Sequence, residues 1–172
     1  ALAHTVNEPA TPGSFETWVE LPANASISPG GIYRIVHTSA APALLNSADF
    51  IYGNLSNGDD GFALVEGSPT DFVILDIIGD WNGDPGSGWD VAGTANGTQN
   101  HTLVRKSHVL SGNAGDWNQS AGTNAGDSEW IVLEIDDWSN FGQHTVDGQC
   151  DTSGEGGGGN DPVLGCTYPN AC

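Results

Sequence analysis

The sequence predicts an all-β fold. Its apolar segments are short, several alternate apolar and polar residues, and each is bounded by Gly, Asn, Asp or Pro. This is the pattern of short antiparallel strands joined by ordered turns. The 172 residues include 25 Gly, 9 Pro and 6 Trp, a composition that disfavours a helical bundle. The length is sufficient for one domain and a tail.

Six segments have a strand pattern, and the fourth is almost wholly apolar, which predicts a place in the middle of a sheet. The segments are residues 15–21, 32–37, 62–66, 72–78, 101–106 and 129–135. A turn at residues 67–69 predicts that the third and fourth strands pair. One short helix is expected at residues 41–48, and no other. Residues 1–14 and 107–127 are predicted to be loops. Residues 79–100 lack periodicity, and an irregular segment of this length is usually functional or an internal anchor.

The composition changes behind residue 146, which predicts the end of the folded domain. Residues 147–161 are rich in Gly and have the composition of a flexible linker. Residues 162–172 resemble the first half of a short Cys-containing repeat. This part holds the disulfide candidates Cys150, Cys166 and Cys172. Their odd number suggests that one of them pairs with a cysteine outside this sequence.

The charge of the chain is strongly negative, since 22 Asp and Glu oppose 3 Lys and Arg to give a net charge of -19. Such a surface repels a phosphate backbone and an anionic membrane, so neither direct nucleic-acid binding nor membrane insertion is expected. No apolar run is long enough to span a membrane. The acidity is typical of solubility in a salty medium, where charge is screened, or of calcium binding. Five Asn-x-Ser/Thr sequons are glycosylation candidates, at Asn24, Asn54, Asn96, Asn100 and Asn118.

A candidate calcium site lies in the irregular segment. Asp80, Asn82 and Asp84 alternate along a tight turn rich in Gly, and Asp90 comes after them. Alternating oxygen ligands of this kind can surround a hard cation. An EF-hand is excluded because Pro85 and Val91 stand where that loop needs Gly and Glu. The alternative is a set of Asx turns, in which the carboxylates accept hydrogen bonds from backbone N–H groups.

Aspartate stands next to tryptophan at several turns, at Asp80–Trp81, Asp116–Trp117 and Asp137–Trp138, and in reverse order at Trp89–Asp90. Exposed aromatic rings beside carboxylates could stack on sugar rings. Alternatively, each Trp covers an end of the domain while its Asp holds the turn, since Trp is usually well buried.

A second candidate site lies on the predicted strand at residues 101–106. His101 and Arg105 share one face of this strand, and Lys106 lies on the other. These side chains could form a clamp for a phosphate or carboxylate. At this net charge the alternative is favoured, in which Arg105 pairs with the surrounding carboxylates. The sequence has no Gly-x-Ser-x-Gly motif and no phosphate-binding loop, and the protein is not expected to be an enzyme.

Five segments taken together resemble the lamin-tail domain, in the version found in secreted proteins of marine bacteria. They are the apolar segment at 74–78, Gly-Asp-Trp at 79–81, Gly-Trp-Asp-Val-Ala-Gly at 88–93, Asn-His-Thr-Leu-Val-Arg-Lys at 100–106 and Ser-Glu-Trp-Ile-Val-Leu at 128–133. The resemblance implies an immunoglobulin-like β-sandwich over residues 1–146. It also implies a structural or adhesive module of a secreted or cell-surface protein. Its expected partners are a second copy, neighbouring domains or an extracellular polysaccharide.

Two other functions remain open at this point. Lamin-tail domains are often appended to extracellular nucleases or other hydrolases, so the chain could be an accessory domain of such an enzyme. It could also be a carbohydrate-binding module that uses the Asp–Trp turns. The strand that usually opens the family's domain is absent, and residues 1–3 resemble the residues just after that strand. An unpaired sheet edge is therefore expected, and this edge could pair with a neighbouring copy in a filament.

Overall fold

The structure, a computed structural model, describes residues 1–147. In this part 27% of the residues lie in strands and 6% in helices, which confirms the predicted all-β class. No helix among these residues is both long and apolar enough to cross a membrane. The predicted Cys-containing repeat, the three cysteines and the linker from residue 148 onward lie outside the described residues.

Eight strands and two short helices succeed one another in the described part of the chain. They are β1 (Leu2–His4), β2 (Thr17–Val19), β3 (Ile35–His37), α1 (Pro42–Leu45), β4 (Phe50–Tyr52), β5 (Phe62–Ser68), β6 (Asp71–Ile78), β7 (His101–Arg105), α2 (Trp117–Ala121) and β8 (Trp130–Ile135). Strands β2, β1, β5 and β6 form an antiparallel sheet in that order, while β3–β4 is a parallel pair and β7–β8 an antiparallel pair. All six predicted strands are present with shifted ends, β5 pairs with β6 as predicted, and α1 lies within the predicted helix.

One hydrophobic core joins the four-stranded sheet to the β7–β8 pair. In β5 the residues alternate, because Ala63 and Val65 are buried whereas Leu64 is 42% exposed. The buried members of the core are Ala3, Ala63, Val65, Ile77, Trp81, Val91, Trp117, Ala121 and Trp130. Three of them are tryptophans, so a few large rings supply much of the buried apolar area.

The prediction of a loop over residues 1–14 is wrong for β1, which is an inner strand of the four-stranded sheet. Leu2 pairs with Val19 on one side and with Leu64 on the other. The strand has only three residues, Leu-Ala-His, which are too few to show an alternating pattern. Since both sides of β1 are paired, the filament hypothesis gains no support from this strand.

The prediction that residues 72–78 lie in the middle of a sheet is also wrong, because β6 is the last strand of its sheet. The side chain of Asn113 takes the place of a further strand. Its Nδ2 donates to the carbonyl of Ile77 (2.8 Å) and its Oδ1 accepts from the N–H of the same residue (3.0 Å). Ala114 N–H donates to Leu75 O (3.2 Å). At Leu75 and Ile77 the polar groups of this edge are therefore covered without a neighbouring strand.

The expectation of a single helix is wrong, because α2 forms in the predicted loop. Asp116 is its N-cap, and the carboxylate accepts a hydrogen bond from Gln119 N–H at 3.1 Å. Trp117, Ser120 and Ala121 are buried, and their spacing places them on one face of a helix. The cap and this buried face together explain why a helix of five residues forms here.

Candidate functional site

The guanidinium of Arg105 is bound on both sides by carboxylates. Its Nη2 lies 2.6 Å and 2.7 Å from the two oxygens of Asp76, and its Nη1 lies 2.6 Å from Glu129 Oε2. The same group lies 4.0 Å from the centre of the Trp130 ring, as in a cation–π contact. The side chain is 12% exposed. The predicted anion clamp is therefore not formed by Arg105, and the alternative, pairing with carboxylates, is confirmed.

The other members of the predicted clamp are also used within the fold. Lys106 Nζ donates to the carbonyls of Ala125 (2.7 Å) and Ser128. His101 Nδ1 lies 2.7 Å from the carbonyl of Leu133. These contacts hold the two side chains along the β7–β8 pair and the turn before it, so neither is directed toward an external anion.

Arg34 is the third basic residue of the sequence, and it is paired as well. Its Nε lies 3.0 Å from Asp49 Oδ2. The hydrogen bond between the two side chains raises the pKa of Arg34 and lowers the pKa of Asp49. All three cationic side chains of the sequence are thus bound to carboxylates or carbonyls within the fold.

The contacts of Arg105 belong to a larger polar network. Glu129 Oε2 also accepts from Ser120 Oγ at 2.6 Å, and Ser120 Oγ accepts from Trp130 Nε1 at 2.9 Å. Asp76 Oδ1 accepts from the N–H of Asn113 at 3.0 Å. The network connects β6, β7, β8 and α2, and each buried polar atom in it has a partner, as a stable polar core requires.

The four residues predicted to bind calcium do lie together, around one cavity of about 580 Å³ that Trp89, Trp117 and Thr123 also line. The four are Asp80, Asn82, Asp84 and Asp90. Trp89 reaches this position because its ring lies against the backbone of Gly79, where an added Cβ would come within 2.6 Å of the ring.

Each of the three carboxylates around this cavity uses one oxygen to accept a backbone N–H. Asp80 Oδ1 accepts from Asn82 (2.7 Å), and Asp84 Oδ1 accepts from Gly86 (2.6 Å). Asp90 Oδ1 accepts from Asn96 N–H (2.9 Å). The bonds of Asp80 and Asp84 reach two residues along the chain, as in the Asx turns that are the alternative to calcium, whereas the bond of Asp90 reaches six residues along it.

Within residues 1–147 no group of three or more His, Cys, Asp or Glu side chains is arranged to hold a metal ion. Calcium also takes amide and backbone carbonyl oxygens as ligands. Calcium binding by the four residues therefore stays a prediction, and the cavity is the place where the prediction applies.

The tryptophans of the Asp–Trp turns differ in exposure. Trp81 is 4% exposed and Trp117 is 2% exposed, whereas Trp138 is 57% exposed. The first two therefore cover the core while their aspartates hold the chain, as the second interpretation predicted. Trp138 is the exception, and its ring is free to contact a ligand on the surface.

Two concave surfaces meet at Trp138, whose ring packs edge to face against Phe141 with 6.3 Å between the ring centres. One is a cavity of about 260 Å³ with polar side chains in its lining, among them Thr102, Asn140, Gln143 and His144. The other is a mainly apolar cavity of about 430 Å³, which is lined by Ile35, Val36, Leu44 and Leu55, among others. Trp138 and Phe141 line both cavities. Phe141 is not among the residues that the sequence pattern singles out, although it stands only three residues from Trp138.

The segment that carries Trp138 is held by its own hydrogen bonds. Ser139 N–H donates to Asp137 Oδ1 (2.8 Å), and Gln143 Nε2 donates to Ser139 O (2.6 Å). Thr102 Oγ1 of β7 donates to Asp137 O at 2.6 Å. The hydrogen bonds from the side chain and the backbone N–H of Ser139 lower the pKa of Asp137. These bonds thus fix the backbone that carries the indole.

All five sequon asparagines are exposed, but their hydroxyl residues are not equivalent. Thr98, of the Asn96 sequon, is 7% exposed and donates to Gly58 O (2.6 Å). Ser120, of the Asn118 sequon, is fully buried in the Arg105 network. Thr102, of the Asn100 sequon, is half-buried and donates to Asp137 O (2.6 Å). In the folded chain the sequons at Asn24 and Asn54, whose serines are exposed, are therefore the more accessible candidates.

Comparison of the chain with protein-family models, with curated proteins and with solved structures found no significant match.

Proposed function

We propose that the chain is a non-catalytic structural or adhesive module of a secreted or cell-surface protein. The observation that carries the proposal is that all three basic side chains are bound within the fold, at Arg34, Arg105 and Lys106. Groups used in this way stabilise one geometry and are poorly placed to bind or transform an anionic substrate. The acidic surface and the resemblance to secreted lamin-tail domains support an extracellular location.

The histidines support the same proposal, because three of them are used in the same manner. His4 is 1% exposed and its ring contacts Thr5 O (2.8 Å) and Tyr52 OH (2.7 Å). His37 contacts Gly53 O at 2.8 Å, and His101 contacts a carbonyl of β8. His4 and His37 use both ring nitrogens within the fold, and such histidines are poorly placed to exchange protons with a substrate.

We further propose that the architecture is an immunoglobulin-like β-sandwich of the lamin-tail type. The shared core supports this, because Ala3, Val65 and Ile77 of the four-stranded sheet are buried together with Trp130 of β8. Two sheets that face one core in this way are the basic arrangement of a sandwich. The expected partners are a second copy, a neighbouring domain or an extracellular polysaccharide.

The proposal can be tested with the full 172-residue chain coupled to beads. We expect the beads to be retained on surfaces coated either with the same chain or with an extracellular polysaccharide. Beads carrying an unrelated protein of equal negative charge are the control, and they should not be retained. The same preparation is incubated with DNA, RNA, polysaccharide and peptide substrates, and no turnover is expected. Hydrolysis above the level of a heat-unfolded sample would overturn the proposal, as would the absence of retention on both surfaces.

A further inference from the structure

Trp138 is the exposed aromatic residue around which the strongest candidate for a ligand site is built. Its side chain remains 57% exposed although it lies between two concave surfaces. An exposed indole leaves apolar area in contact with water, and covering this area with a ligand is favourable. The edge-to-face contact with Phe141 restricts the ring, which reduces the conformational entropy lost when a ligand stacks on it.

The groove beside this ring has a mixed lining that includes polar side chains suited to hydroxyl groups. Asn140 and Gln143 are exposed, and both use their amide N–H groups within the segment, toward Ser139 Oγ (3.3 Å) and Ser139 O (2.6 Å). Within residues 1–147 their amide oxygens accept no hydrogen bond from the protein. These oxygens can therefore accept hydrogen bonds from a ligand's hydroxyl groups.

The charges of the groove disfavour an anionic ligand. Asp137 and Arg105 line it together with His144. Arg105 is bound to Asp76 and Glu129, so an anion would find no free guanidinium. Asp137 Oδ1 already accepts a hydrogen bond from Ser139 N–H, so this oxygen is less available to a cation.

We propose that Trp138, together with Phe141, Asn140 and Gln143, forms a binding site for a neutral polysaccharide. One sugar ring stacks its apolar C–H face on the Trp138 indole, and its hydroxyl groups donate to the amide oxygens of Asn140 and Gln143. The neighbouring units of the polymer extend along the groove toward β7. The inference rests on the proposed adhesive function and names the class of ligand for it.

The test measures how much of the full-length chain sediments with three insoluble neutral polysaccharides, namely cellulose, chitin and a β-1,3-glucan. Alginate beads and polylysine beads serve as the anionic and cationic probes. We expect retention on at least one neutral polymer, and weaker retention on both charged supports. Trp138→Ala should weaken the retention about tenfold or more, as is usual for a central aromatic contact, and Trp138→Tyr should restore part of it.

Leu110→Ala is the matched control, since Leu110 is a large apolar residue that is 71% exposed and does not line the groove. It should leave retention unchanged, and both alanine variants should melt at the wild-type temperature. Retention that is equal in Trp138→Ala and the wild type would overturn the inference. So would preferential retention on alginate or polylysine, or none on the three neutral polymers. If the chain still adheres to surfaces coated with itself in those cases, only the ligand class is wrong and the adhesive function stands.

Discussion

Two Asp–Trp turns of this chain have the same local hydrogen bond, but their tryptophans differ in burial. In both, the aspartate accepts a hydrogen bond from the N–H two residues later, at 2.7 Å for Asp80 and 2.8 Å for Asp137. Yet Trp81 is 4% exposed and Trp138 is 57% exposed. The Asx turn therefore fixes the backbone and leaves the burial of the following ring undetermined.

The sheet beside each turn accounts for the difference. Trp81 Nε1 donates to Gly61 O at 3.0 Å, and its ring lies 5.5 Å from Phe15 and 6.2 Å from Phe72. Trp138 comes after β8 at a place where Phe141 is its aromatic neighbour. A turn next to the four-stranded sheet thus adds its ring to the core, whereas the same turn after the β7–β8 pair presents its ring to the surface.

The largest expected effect comes from replacing these two tryptophans in turn. Trp81→Ala should lower the free energy of unfolding by about 3–5 kcal/mol, because it removes a buried ring and leaves a cavity. Trp138→Ala should change it by less than about 0.5 kcal/mol, as is usual for an exposed site. Urea denaturation followed by far-UV circular dichroism measures both. Equal losses of stability in the two variants would contradict the comparison.

The same contrast between buried and exposed contacts applies to the ion pairs. Arg105→Met should destabilise the fold by about 2–3 kcal/mol, because Arg105 is largely buried and its loss leaves the partly exposed Asp76 and Glu129 without their shared partner. Arg34→Met is the matched control, since the Arg34–Asp49 pair is exposed and such pairs contribute little. Urea denaturation of both variants tests this, and a control that is destabilised as strongly as Arg105→Met would refute the structural role assigned to the network.

The parts of the fold that the sequence predicts well are those set by neighbouring residues. The β5–β6 hairpin is expected from two apolar segments and the turn between them. The four predicted calcium residues around the cavity of about 580 Å³ lie within one short segment, so their proximity was also predictable. Helix α2 was also predictable, because the N-cap residue Asp116 is followed by Trp117, Ser120 and Ala121 at helical spacing. These features depend on residues that are near one another along the chain.

The features that were missed depend on contacts between distant residues. Asn113 covers the edge of β6 from 36 residues away, and nothing near Ile77 in the sequence indicates such a partner. β1 is recognisable as a strand by its pairing with β2 and β5 on both sides. The different burial of Trp81 and Trp138 belongs to this class, which is why the sugar-stacking and core interpretations could not be separated from sequence alone.

Calcium would make the surroundings of Trp81 and Trp138 differ further, because the predicted calcium residues include Asp80, next to Trp81. If the site binds calcium, an excess of free ion of about 100 times the dissociation constant should stabilise the fold by about 2.7 kcal/mol. Thermal melting with calcium and with a chelator measures this. Asp84→Ala should abolish the rise in melting temperature, whereas Asp147→Ala, outside the cavity, should not. Identical melting curves with and without chelator would rule the site out.

A smaller effect is expected at the third Asp–Trp turn, where the aspartate caps a helix. Asp116→Ala should destabilise the fold by about 1 kcal/mol, since the N–H of Gln119 then loses its acceptor. Asp116→Asn should retain most of the stability, because its side-chain oxygen can accept the same hydrogen bond. Urea denaturation of the two variants decides this. If Asn is as damaging as Ala, the carboxylate acts through its charge and not as a cap.

The smallest effect concerns the pH dependence of the Trp138 segment. The hydrogen bonds from Ser139 lower the pKa of Asp137 in the folded chain, below its value in the unfolded chain. This stabilisation is therefore fully present above the unfolded pKa and is lost as the pH falls through the folded pKa. The amide proton of Ser139, monitored by NMR from neutral pH downward, should shift with a midpoint below the ordinary Asp value of about 3.9. Asp137→Asn should abolish this titration while keeping the turn. A midpoint at or above the ordinary value would show that the hydrogen bond does not favour the carboxylate, and Asp137 would then contribute no pH-dependent stability to the Trp138 segment.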